Sequence, residues 1–205
     1  REHGEVGGGT QEGQAANSPA GAGLGAGLDP RRRALWLGRE ALPDAPRWRL
    51  EIWGEGPLSE PLLGLVESLG LSGRAVLRGA TDAPWAEMSR ARIFALTSAY
   101  EGFPNAMLEA MALGLAAVSF DCHSGPRDIT DEGRVGMLVA PGDVGAFALA
   151  LRTLAGDRQL RESLGASGSA FVRATFSEEA VLSKWDSLFS SVETQFTSKR
   201  RDRVS

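Results

Sequence analysis

Apolar positions along this chain change their spacing in a regular way, and that change is the first guide to its fold. RLEIW (49–53) is a short β-prone run closed by the turn GEGP (54–57), after which Leu58, Leu62, Leu63, Leu65, Val66 and Leu69 fall at helical spacing. The alternation recurs through AVLR (75–78), a short helical piece over 85–90, IFALT (93–97), a helix from near Pro104, AAVSF (116–120), a short helix from Gly125, and GMLV (136–139). Short apolar strands separated by helices predict an α/β domain whose parallel sheet is covered on both faces. Beyond Asp143, a candidate N-cap, the pattern is helical to the end. Phe147, Leu151, Leu160, Leu164, Phe171, Val181, Leu182, Trp185, Leu188 and Phe189 mark faces expected to pack on the sheet.

The two ends read differently. Residues 1–30 are so rich in Gly, Ala and polar side chains that they bury too little apolar surface to offset their conformational entropy, and disorder is expected. Residues 31–48, with the arginine run 31–33 and the helix breakers Pro43 and Pro46, read as an irregular or short helical lead-in. The predicted organisation is a disordered or irregular lead-in over 1–47, one domain over 48–192, and a charged tail over 193–205.

Composition narrows the function classes. A 205-residue chain with 42 % hydrophobic content suits an ordinary globular domain, and a net charge of −4 argues against a dedicated nucleic-acid binder. A single cysteine, Cys122, makes no internal disulfide, and His3 and His123 form no cluster with zinc-ligand spacing, so neither metal nor cofactor is expected. No run approaches the apolar length that spans a bilayer, and no signal-peptide pattern opens the chain. The expectation is a cytoplasmic location, with any membrane contact peripheral and at the inner face. The first residue is Arg1 rather than Met, and with the Arg, Ala and Gly bias of the composition it suggests a piece of a longer gene product.

One strand-to-helix junction concentrates the candidate chemistry. After IFALT comes SAYEGFPN (98–105), then a helix carrying Met107, Leu108, Glu109 and Met111. In parallel sheets ligands sit beyond the carboxyl ends of strands, where helix-start N–H groups face anionic groups. Gly102 permits close approach of the backbone, and Pro104 suits a first helical turn. Glu101 and Glu109 are spaced so that both carboxylates can face one crevice and accept hydrogen bonds from ligand hydroxyls. Spacing alone leaves open the plainer reading, in which Glu101 caps the helix and Glu109 is a solvated surface residue.

The stretch Ser98-x-x-Glu101-Gly102-Phe103-Pro104-x-x-x-Leu108-Glu109-Ala110-Met111-Ala112-x-Gly114 resembles the E-x7-E signature of retaining GT-B glycosyltransferases of the family 4, or glycosyl transferases group 1, type. WGEGP (53–57), SFDC (119–122) with SGPRDI (124–129), and GRVGMLVAPGD (133–143) are similar to flanking segments of that family. The resemblance covers roughly 48–192 and implies the Rossmann-like, donor-binding half of a GT-B fold. It further implies that Glu101 contacts hydroxyls of the transferred sugar, and in that sense is catalytic, and that Glu109 contacts the nucleotide ribose. Gly102, Phe103, Pro104, Asn105 and Leu108 would line the donor site, with the N–H groups of Gly102, Phe103 and Asn105 approaching the sugar and diphosphate. The implied partners are a nucleotide-diphosphate sugar, a glycan or lipid-linked acceptor, and an acceptor-binding domain or subunit.

Some positions depart from that pattern. The family opens this domain with a strand, a Gly-Arg pair and a lysine that clamp the diphosphate, and LGAGLDPRRRALWLGREAL (24–42) carries no copy of it. Arg31, Arg32, Arg33 and Arg39 are the candidate substitutes. Ala116 stands where the family usually has proline. Cys122 beside His123 is a weak candidate dyad, because neighbours in an extended segment point to opposite sides. Trp36, Trp48, Trp53, Trp85 and Trp185 are expected to serve as core or edge packing. The turn at Thr81 and Asp82 matches the place where relatives hold the nucleotide base. Three readings follow: a retaining hexosyltransferase, a donor-binding subunit that needs a separate acceptor-binding half, and a remnant that folds poorly.

Overall fold

The computed structural model describes residues 29–201 apart from 44 and 46, so the expected disorder of the first residues, like the last four, lies outside the described region. Among the described residues are β1 (Leu50–Trp53), β2 (Ala75–Gly79), β3 (Ile93–Leu96), β4 (Ala116–Phe120) and β5 (Met137–Val139). The helices are α1 (Pro30–Ala41), α2 (Ser59–Ser68), α3 (Pro84–Arg90), α4 (Asn105–Ala112), α5 (Pro126–Ile129), α6 (Val144–Gly156), α7 (Arg158–Phe176) and α8 (Glu178–Arg201). The strands pair in parallel, as the alternating pattern requires, but they form two sheets: β1 with β2, and β3-β4-β5 with β4 in the middle.

Each sheet has its own core. Leu35, Ile52, Leu62, Val66 and Leu71 pack around β1 and β2. Leu37, Val118, Phe120, Phe147 and Leu154 pack on one face of the larger sheet, and Met107, Met111, Ala117, Ile129 and Val172 on the other. The rings of Phe120 and Phe147 lie 4.6 Å apart and tilted by 50°, a favoured aromatic geometry.

The segment expected to be an irregular or short helical lead-in is a 12-residue helix built into both cores, since Leu35 and Leu37 are fully buried. Its start follows ordinary capping rules: Asp29 accepts from Arg31 N at 2.9 Å, and Pro30 occupies the first turn, where its missing N–H costs nothing. Pro43 breaks no helix, because it lies beyond the last turn, and Pro46 lies outside the described residues.

Glycines bring α7 close to the sheet. A side chain at Gly165 would collide with the carbonyl of Gly114, in the turn joining α4 to β4, and one at Gly168 would press on Met111 at 3.0 Å. α8 departs from expectation. It is helical through Arg201, and it packs against α7 rather than on the sheet, where the helices beyond Asp143 were expected to pack. Leu182, Trp185, Leu188 and Phe189 are each at least half exposed, so their helical periodicity reflects a face that no described element covers.

Candidate functional site

The loop 97–104 leaves the carboxyl end of β3 and delivers the chain into α4. Thr97 and Ser98 are buried, Glu101 is half-buried, and Gly102, Phe103 and Asn105 face solvent. Pro104, expected in the first helical turn, sits one position earlier, at the N-cap, where it offers no side chain to the helix. The amides of Gly102, Phe103 and Ala106 make no hydrogen bond among the described residues, so the start of α4 keeps donors for an anion. Asn105 differs from its neighbours in this respect. Its N–H donates to Phe103 O at 2.9 Å.

A second loop braces the first. Ser124 Oγ donates to Glu101 O at 2.6 Å. Gly125, at φ +92, lies so close to Pro104 that any side chain there would collide with the proline ring. The two segments 98–105 and 121–125 thus form one wall, with the Glu101 carboxylate near Cys122. Burial raises the Cys122 thiol pKa, and the neighbouring Glu101 and Asp121 carboxylates raise it further. Cys122 is buried and His123 exposed, which leaves the candidate dyad without a thiolate or a shared direction. Arg127, at the start of α5, pairs with Asp121 and with Glu132, the latter at 2.9 Å.

Glu109 sits on the first turns of α4, half-buried. Trp85 Nε1 donates to its Oε2 at 3.0 Å, which turns one carboxylate oxygen toward α3 and leaves Oε1 to accept from a ligand. Trp85 is 62 % exposed, so the expectation that it is packing does not hold, and Glu109 is more than a solvated surface charge. Sequence reading had no means of finding this bond, because 24 residues separate the pair and only the tertiary placement of α3 beside α4 joins them. Leu108 is partly buried against the Met107 and Met111 core, while Phe103 lies 5.7 Å from Phe176 at the end of α7.

Three of the four candidate substitutes for the diphosphate clamp, Arg31, Arg33 and Arg39, have partners of their own. Arg31 bonds Asp29 and, at 3.4 Å, Glu55 O, whereas Arg39 lies over the ring of Trp36 at 5.5 Å. Arg33 is buried, with Nη1 on Thr97 O and its guanidinium 5.7 Å from the Phe120 ring. Among the described residues no group of three or more His, Cys, Asp or Glu would hold a metal, and no helix is long and apolar enough to cross a membrane.

The family model described as glycosyl transferases group 1 matches residues 25–157. The chain belongs to this family. The family match includes both carboxylates, the loop between them and the bracing wall. The chain is 37 % identical over 164 residues to an exopolysaccharide phosphotransferase from Streptomyces coelicolor, a match covering 80 % of this chain and 17 % of that protein. It is 38 % identical over 104 residues to a lipopolysaccharide 1,6-galactosyltransferase from Salmonella typhimurium, covering 49 % of the chain and 29 % of the relative. Its fold matches Staphylococcus aureus TarM, solved with UDP, at a TM-score of 0.73 and 24 % identity over 79 % of this chain and 33 % of that one. It also matches the apo lipopolysaccharide outer core galactosyltransferase WaaB at 0.62 and 27 % identity, over 75 % and 44 %. The chain therefore spans less than a third of the length of these two curated relatives, and its fold corresponds to part of the GT-B architecture, consistent with the C-terminal half.

Proposed function

We propose that this chain supplies the donor site of a retaining hexosyltransferase, holding a nucleotide-diphosphate sugar where the loop 98–105 enters α4. Glu101 faces the hydroxyls of the transferred sugar and Glu109 those of the ribose. The amides of Gly102 and Phe103, aided by the positive end of α4, stabilise negative charge on the departing diphosphate. Pro104 and Leu108 shape the wall behind it, and Asn105 lines it through its side chain. Orientation and electrostatics carry such a reaction, in which the sugar leaves the nucleotide for a glycan or lipid-linked acceptor with its configuration kept.

The observation that carries this reading is the juxtaposition of two half-buried carboxylates with unbonded amides at one helix start, inside a matched family segment. The matches cover only 17 % and 29 % of these relatives, which favours an acceptor-binding half supplied by another domain or subunit. Action on a membrane-linked acceptor implies work at the inner face of the cytoplasmic membrane, with contact that is peripheral.

Calorimetric titration with UDP, GDP and their sugars tests the proposal. Saturable binding of one nucleotide is expected, weakened roughly 10- to 100-fold in Glu109→Ala, the range for losing hydrogen bonds to a charged group. Absence of binding by the folded chain, or a Glu109→Ala affinity equal to the parent's, would count against the assigned site.

A further inference from the structure

Among the described residues Arg33 is the one charged side chain that the fold buries, at 3 % exposure. It stands four residues before Leu37, on the face of α1 turned to the larger sheet. A charge taken out of water is costly even when paired, and apolar side chains of similar volume often serve such a position as well or better. The residues that build this core are all apolar, so packing alone gives no reason for a guanidinium here.

Its partners lie at the roots of the candidate site. Nη1 donates to Thr97 O, just past the end of β3, at the point from which the loop 98–105 departs. Thr97 Oγ1 in turn donates to Pro30 O at 2.7 Å, so the start of α1 and the start of the loop hold each other by two bonds. The guanidinium also lies 5.7 Å from the centre of the Phe120 ring, within cation–π range, and Phe120 ends β4 just before the second wall segment, 121–125. One cation therefore touches the roots of both loops that the bond from Ser124 to Glu101 O ties together. Burial lowers the Arg33 pKa and the nearby Asp29 carboxylate opposes that shift, but an arginine keeps its charge in either case.

We propose that Arg33 is a positioning residue of the donor site, an interior cation that fixes the roots of both loops and favours the diphosphate of the ligand over its nucleoside. The inference rests on the donor-site reading given above. So deeply buried a guanidinium does not touch the ligand, which sets it apart from a clamp. Its bond to Thr97 O fixes where the loop leaves β3, and with it the amides of Gly102 and Phe103. Its charge acts through protein rather than water, where solvent and salt screen it less. Both effects bear on the phosphates, whereas the nucleoside meets Glu109 farther along α4.

The test titrates the full chain with UDP, GDP, uridine and guanosine, followed by amide NMR so that weak binding is read, with melting temperatures taken alongside. Arg33→Gln keeps a donor for Thr97 O and removes the charge, while Arg33→Lys keeps the charge. The preference for the diphosphate over its nucleoside is expected to fall about tenfold in Arg33→Gln, with nucleoside affinity changed by less than about twofold. Arg33→Lys should return the preference to within about threefold of the parent's. Should Arg33→Gln fail to fold, the parent decides: its preference should fall by less than about threefold between about 0.05 and 0.5 M salt, because an interior charge is poorly screened. An unchanged preference in Arg33→Gln, or an equal loss for nucleoside and diphosphate, overturns the inference and leaves the donor-site reading standing. So does a parent preference abolished by salt, which would assign it to surface cations. If the parent binds none of the four ligands, the donor-site reading fails and this inference falls with it.

Discussion

At the scale of single residues, the bond from Trp85 to Glu109 defines the candidate site more sharply than either side chain alone. A carboxylate that already accepts one N–H is held in one rotamer, so less freedom is lost when a ligand hydroxyl meets its other oxygen. Trp85→Phe keeps an aromatic side chain, although a smaller one, and deletes the donor. It should weaken nucleotide binding a few-fold, less than Glu109→Ala, because the indole is mostly exposed and its bond competes with water. Titration of the two variants beside the parent checks the order. The Glu101 and Glu109 pair was legible in the sequence because a local signature, fixed by one turn and one helix start, carries it. Trp85, Ser124 and the occupied amide of Asn105 were not, since each depends on which loop lies against which.

Among the elements, α1 shows where legibility ends. Its three consecutive arginines and the prolines beyond it made the segment look irregular, and only its burial identifies Leu35 and Leu37 as core residues. The strands, by contrast, were readable within a residue or two, because brief apolar runs between Gly and Pro turns have few other uses. Asp29 controls the start of α1. Burial acts to raise its pKa, but hydrogen bonds and charge from Arg31 outweigh it and hold the value below the usual 3.8. A lowered carboxylate pKa adds stability that is complete above the unfolded value and lost as pH falls through the folded one. Asp29→Ala should therefore cost about 1 kcal/mol at neutral pH, and the difference from the parent should shrink as pH drops below 3.8. Urea melts at several pH values would show this convergence.

For the molecule as a whole, α8 exposes a continuous apolar stripe in which Trp185 stacks on Phe189 at 5.8 Å. An apolar patch of this kind drives association, and sedimentation velocity should show concentration-dependent self-association that Leu188→Lys reduces without lowering the melting temperature. Finally, α1 supplies side chains to two cores that otherwise draw on separate stretches of the chain, 48–77 for one sheet and 93–164 for the other. Each half can gather its own contacts quickly, whereas the union depends on loop closures spanning much of the chain. Unfolding should then proceed in stages instead of one cooperative transition. Native-state exchange at low denaturant should release β1, α2 and β2 as a unit before β4, and Leu37→Ala, which loosens the joint, should widen the gap between the two events.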